Sequence, residues 1–124
     1  MIGLLGMPLA LGACGGSRAG AAEPPIDVVG TVAQVEIDPG DEQELVAMVT
    51  RGGAPVRGAL VTTNVYLPQG DVRWYIGAPT NDEGRTVIRF RHSQSGYYFV
   101  EITALLDQEV VTTNGMFRVR LESD

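Results

Sequence analysis

Two residues that occur once each, Cys14 and His92, bound the chemistry open to this chain. Any histidine-based general base would have to be His92, which has Ser93 and Ser95 close by in sequence. No G-x-S-x-G elbow surrounds either serine, and polar residues belong in a turn for conformational reasons alone. His92 is therefore expected to be a surface turn residue. The thiol of Cys14 ends the apolar run 1–13, MIGLLGMPLALGA, and is not placed beside a histidine. Paired carboxylates spanning a cleft, as glycoside hydrolysis needs, cannot be identified in so short a chain, so no catalytic residue is expected. Asp38, Asp41, Glu42 and Asp71 are oxygen ligands of the kind Ca²⁺ takes, but no D-x-[DN]-x-[DN]-G loop organises them. Copper would want clustered His and Met, whereas His92, Met48 and Met116 are scattered. Neither a metal nor another cofactor is expected.

The elements that must position these side chains follow from composition and pattern. A chain of 124 residues supports one hydrophobic core, and 44% hydrophobic against 19% charged residues is an ordinary globular balance. All nine basic residues are Arg, and the net charge of −6 disfavours a nucleic-acid partner, which would need a basic face. Sixteen Gly and seven Pro suit short strands joined by turns better than long helices.

Apolar alternation punctuated by turn residues predicts seven strands. The first runs over 31–37 with Ala33, Val35 and Ile37 on one face. The second carries Leu45, Ala47 and Val49 inward, and the third carries Val61, Thr63, Val65 and Leu67. The fourth is expected to bury Val72, Trp74 and Ile76. The fifth buries Ile88 and Phe90, the sixth Tyr98, Val100, Ile102 and Ala104, and the seventh Phe117, Val119 and Leu121. The segment 14–25, CGGSRAGAAEPP, is small and flexible in composition and reads as a tether. The organisation expected is thus a leader over 1–13, a tether over 14–26 and a β-domain over 27–124.

Two resemblances sharpen this reading. Leu11-Gly12-Ala13-Cys14 resembles the lipobox of bacterial lipoproteins, which implies a signal peptide cut before Cys14, lipid on the Cys14 thiol and acylation of the new amino group. More than one acyl chain gives stable anchoring. The protein would then be exported and held at the bacterial cell membrane or outer membrane. The second resemblance is carried by Gly53-Ala54-Pro55-Val56-Arg57-Gly58-Ala59-Leu60-Val61, by Thr80-Asn81-Asp82-Glu83-Gly84-Arg85 and by Gly96-Tyr97-Tyr98-Phe99-Val100. These look like successive steps of bacterial Ig-like domains of the invasin and intimin group and of the related carboxypeptidase regulatory-like domains. The resemblance implies an all-β, seven-stranded antiparallel Ig-like sandwich with a role in adhesion, spacing or recognition. Tyr98 stands where a tyrosine corner would place a hydroxyl against backbone.

Strand parity then singles out a surface. If Tyr98, Val100 and Ile102 point inward, Tyr97 and Phe99 point outward, and the same reasoning exposes Tyr66, Arg118 and Arg120. Tyr and Arg dominate binding hot spots, so these five residues are the candidate partner-binding face. The role expected is a non-catalytic, lipid-anchored module that binds an envelope or surface protein. A carrier domain for carbohydrate or for Ca or Cu is the alternative. Arg51 and Arg57 beside Asp82, Glu83 and Asp107 read as surface ion pairs. Oligomeric state is left open by the sequence.

Overall fold

The computed structural model describes residues 23–121. The leader, Cys14 and most of the tether lie outside the described residues. The described chain forms nine strands: β1 (Ile26–Val32), β2 (Glu36–Ile37), β3 (Glu42–Arg51), β4 (Ala54–Pro55), β5 (Leu60–Tyr66), β6 (Val72–Ile76), β7 (Arg85–Arg91), β8 (Gly96–Leu106) and β9 (Glu109–Val119). They make two stacked sheets. In one, β3 is flanked by β1 on one side and by β7 and the short β4 on the other; the second has the order β2-β9-β8-β5-β6. Every pairing is antiparallel except that of β2 with β9.

Alternation along the strands builds the core between the sheets. From β3 come Leu45, Ala47 and Val49; from β5, Val61, Thr63 and Val65; from β8, Tyr98, Val100, Ile102 and Ala104. Register pairs these rows: Leu45 lies opposite Ile88, Val65 opposite Val100 and Tyr98 opposite Phe117. The packing is close enough to demand glycine at position 30, where an added Cβ would lie 2.3 Å from Ile102 Cδ1. Gly84 closes the Asn81–Arg85 turn with φ +77°, and its carbonyl accepts the amide of Val49 at 2.8 Å.

The seven long strands answer to the seven expected, and the second, third, fifth and sixth bury the residues anticipated for them. Three placements differ. The first long strand is β1, which buries Ile26 and Val28, while Ala33 and Val35 are exposed and only Ile37 of the expected set is inside. The chain leaves sheet one after Val32 and rejoins the other sheet through β2, so one apparent strand is split between two sheets.

The second difference lies in β6, which turns Val72, Trp74 and Ile76 outward; Trp74 is 63% exposed. Its inner face carries Tyr75, stacked on Phe90 with ring centroids 5.0 Å apart. A hairpin puts directly opposed residues on the same face, and Val72 is opposed to the outward-facing Tyr66. The third is Leu121, which is exposed beyond the end of β9. That strand begins as early as Glu109, joined to β8 by a two-residue turn in which Asp107 takes φ 53°.

Candidate functional site

The outer face of the five-stranded sheet is built by cross-strand rows. Phe99 of β8 lies between Met116 of β9 and Tyr66 of β5, and Tyr66 in turn is opposed to Val72 of β6. Tyr97 is opposed to Arg118, which neighbours Glu36 of β2. Farther along, Asn114, Glu101, Asn64 and Trp74 form a second row, and Thr112, Thr103, Thr62 and Ile76 a third. Tyr66, Val72, Trp74, Ile76, Tyr97, Phe99 and Met116 are all exposed to solvent, Tyr97 and Phe99 each by 56%. At one end Tyr97, Phe99 and Met116 join Leu67 and Pro68 to line an open groove of about 680 Å³.

Polar contacts order this surface. Glu101 Oε1 accepts the Tyr66 hydroxyl and the Asn64 amide, both at 3.2 Å. Arg118 donates to Glu36, while Arg120 donates to Asp38 at 2.6 Å and pairs with Glu36 at 3.3 Å. The hydrogen bond to Asp38 is the main reason the Arg120 guanidinium is held even more firmly protonated than usual. The structure therefore brings Tyr66, Tyr97, Phe99 and Arg118 to one face, as parity requires. It commits both arginines to the acidic residues around β2, which form one rim of that face. Sequence reasoning missed Val72, Trp74, Ile76 and Met116. For the three on β6 the signal was available in the hairpin itself, since Tyr66 fixes the face of the residue opposite it.

His92 is not the surface turn residue expected. It is half-buried against Tyr75, Phe90 and Tyr98, with ring centroids 5.4–6.1 Å away, and its Nε2 lies 3.0 Å from the Tyr75 hydroxyl. Burial is the main cause, and the charge of Arg73 a lesser one, of a pKa lowered from the ordinary 6.5. Burial likewise raises the pKa of the Tyr75 phenol that shares this hydrogen bond, outweighing the opposite effect of Arg73. Ser95 donates its hydroxyl to the Arg120 carbonyl at 3.0 Å. The tyrosine corner is present: the Tyr98 hydroxyl donates to the Gln94 carbonyl at 2.6 Å.

The acidic turns do not assemble into a cation cage. Asp38 is taken up by Arg120, Glu42 by Arg91, and the Asp41 carboxylate by the amide of Asp38. Among the described residues no three His, Cys, Asp or Glu side chains converge on one point. Arg57 pairs with Asp82 at 2.9 Å on the surface, while Arg51 lies within electrostatic reach of Asp107 and grips its neighbour Glu109 at 2.5 Å and the Pro24 carbonyl at 2.7 Å.

No protein-family model matches the chain, and no curated protein matches it either. Solved structures do resemble it. The CARDB domain of the PF1109 protein from Pyrococcus furiosus, solved in complex with di-metal ions, superposes with a TM-score of 0.50 at 18% identity. That match covers 81% of this chain and 96% of that domain. The PKD domain of the human VPS10 domain-containing receptor SorCS2 gives a TM-score of 0.46 at 19% identity over 78% of this chain and 73% of that one. With its two stacked sheets and its tyrosine corner, the described chain has an Ig-like β-sandwich fold.

Proposed function

We propose that this protein is a non-catalytic binding module which engages an envelope or cell-surface protein through the outer face of its five-stranded sheet. The observation that carries the reading is the grouping of Tyr66, Val72, Trp74, Ile76, Tyr97, Phe99 and Met116 in solvent on one face. Soluble domains seldom leave so many large apolar side chains contiguous in water unless something covers them. Aromatic anchors within a polar rim match the anatomy of hot spots, and here the rim is supplied by Glu36, Arg118 and Arg120. His92, the one candidate base, is engaged with Tyr75 inside an aromatic cluster, which supports binding over chemistry.

In this proposal the domain belongs with the bacterial Ig-like modules. It is exported and anchored by lipid on Cys14, the residue that closes Leu11-Gly12-Ala13-Cys14. Labelling with a radioactive or alkyne-tagged fatty acid should mark the chain and fail to mark Cys14→Ser. The binding face is tested by placing a photo-crosslinking amino acid at Phe99 and, as a control, at Val29, which is equally exposed on the opposite sheet. A discrete adduct from position 99 absent from position 29 is expected. Adducts of equal yield from both positions, or none from 99, would remove the reading. Tyr97→Ser with Phe99→Ser should weaken binding of the captured partner by about 10- to 100-fold.

One observation favours a second reading, carbohydrate binding. The Trp74 ring stands open at the head of the Asn64, Glu101 and Asn114 row, an aromatic plane beside amide and carboxylate groups that pair with hydroxyls. Trp74 is the only tryptophan, so its fluorescence reads this directly: saturable change with an oligosaccharide would favour a sugar ligand over a protein.

A further inference from the structure

Among the described residues β6 pairs with β5 alone, and the phase of that pairing decides what its other edge can accept. Leu67 donates its amide to the Asp71 carbonyl at 2.8 Å, and Gly77 donates to the Val61 carbonyl at 2.9 Å. Backbone groups alternate in direction along a strand, so Arg73 and Tyr75, between these two bonds, also face β5. The amides and carbonyls of Val72, Trp74 and Ile76 face the open edge. Consistent with this, the Val72 carbonyl receives only a long 3.4 Å contact from the guanidinium of the adjacent Arg73. Natural edges are commonly blunted by Pro, a bulge or charged side chains; β6 has no Pro and no bulge, carries Arg73 as its one charge, and keeps an unbroken register with β5.

The edge is also complementary to itself. In an antiparallel pair of β6 strands related by a two-fold axis at Trp74, Val72 faces Ile76 and Trp74 faces Trp74. Each Arg73 then faces the other copy's Tyr75. The outward amides and carbonyls all meet counterparts in this register, because Val72, Trp74 and Ile76 are opposed only to one another across the axis. Arg73 opposite Tyr75 sets a cation against an aromatic ring. Sliding by the next step that preserves sidedness would set Arg73 against Arg73 in one direction and Tyr75 against Tyr75 in the other, losing that contact. A second copy supplies the Arg73–Tyr75 contact reciprocally, twice per pair, which a foreign strand supplies only if it carries the same two residues in the same register.

We propose that β6 pairs antiparallel with β6 of a second copy about an axis at Trp74. Two five-stranded sheets become one, and two aromatic faces become one continuous platform. This concerns the sheet edge and not what the face binds, so it stands or falls separately from the partner reading. The test uses the full chain carrying Cys14→Ser, solubilised in detergent, with protein mass read by sedimentation equilibrium. A two-copy mass is expected. Ile76→Pro deletes an edge amide that β5 does not use and should give a folded one-copy species, whereas Ile76→Val should stay at two copies. In the same cysteine-free background, Trp74→Cys should form a covalent dimer under mild oxidation, since directly opposed Cα atoms lie within disulfide reach. Phe99→Cys, on central β8 of the same face, should not. A one-copy mass for the unaltered edge, an Ile76→Pro chain that folds and stays paired, or equal crosslinking from Phe99→Cys would overturn the proposal. Should Ile76→Pro fail to fold, the two cysteine variants decide it alone.

Discussion

Tyr98 shows how one side chain can serve packing and turn geometry together. Its ring is fully buried and stacks on Phe117 with centroids 4.8 Å apart, while its hydroxyl holds the Gln94 carbonyl at the entry to β8. Tyr98→Phe keeps the stacking and removes only the donor, leaving the carbonyl without its partner. We expect a loss of about 1–2 kcal/mol in urea-monitored stability, with faster amide exchange concentrated in the 92–96 turn. An unchanged stability would mean that the corner contributes nothing beyond burial. This residue was legible in the sequence because its parity and its place at the start of a strand both follow from the chain alone. His92 was not: its polarity and its serine neighbours point to solvent, and only the tertiary stack of Tyr75, Phe90 and Tyr98 around it reveals a half-buried ring.

Sidedness is legible from periodicity only where one face is clearly more polar than the other. On β8 the inward set Tyr98, Val100, Ile102 and Ala104 alternates with Glu101 and Thr103, and the reading was right. On β6 the outward set Val72, Trp74 and Ile76 is more apolar than the inward Arg73 and Tyr75, so hydropathy points the wrong way. The strand is an edge, and what its inner face covers is an aromatic cluster that tolerates a tyrosine hydroxyl paired with His92. In β9 the run Thr112, Thr113 and Asn114 hides the strand character of a segment that pairs along its whole length with β8. The candidate face was accordingly found in part, from its β5, β8 and β9 residues. A pair of substitutions separates the two kinds of apolar position. Ile102→Ala, at a residue with no exposed surface, should cost about 2–5 kcal/mol through the cavity it leaves. Trp74→Ser should change the stability of the single chain by no more than about 0.5 kcal/mol, despite removing the larger side chain. Equal losses in the two variants would mean that Trp74 is packed after all.

With a single cysteine in the sequence, the sandwich has no internal disulfide, and its closure depends on the core and on ion pairs that tie remote segments together. Arg51 and the amide of Ile26 both bind Glu109, joining the start of β1, the end of β3 and the start of β9. The hydrogen bond from Arg51, then that from the Ile26 amide, hold the Glu109 carboxyl below its ordinary value of 4.5. Its stabilising contribution is present above 4.5 and is lost as the pH falls through the lowered folded value, because the unfolded chain takes up the proton first. His92 acts in a different window with the same sign. Its folded pKa lies below 6.5, so once the pH drops under 6.5 the unfolded state again binds more protons and stability declines until the folded value is reached. Acid should therefore weaken the domain in two stages. In urea unfolding measured across a pH series, His92→Gln should flatten the first stage and leave the second. Glu109→Gln should lower stability at neutral pH and flatten the second stage while leaving the first. A wild-type stability that stays level between neutrality and 4.5 would contradict the role given to His92. A Glu109→Gln chain as stable as wild type at neutral pH would contradict the role given to the clasp that joins the two sheets.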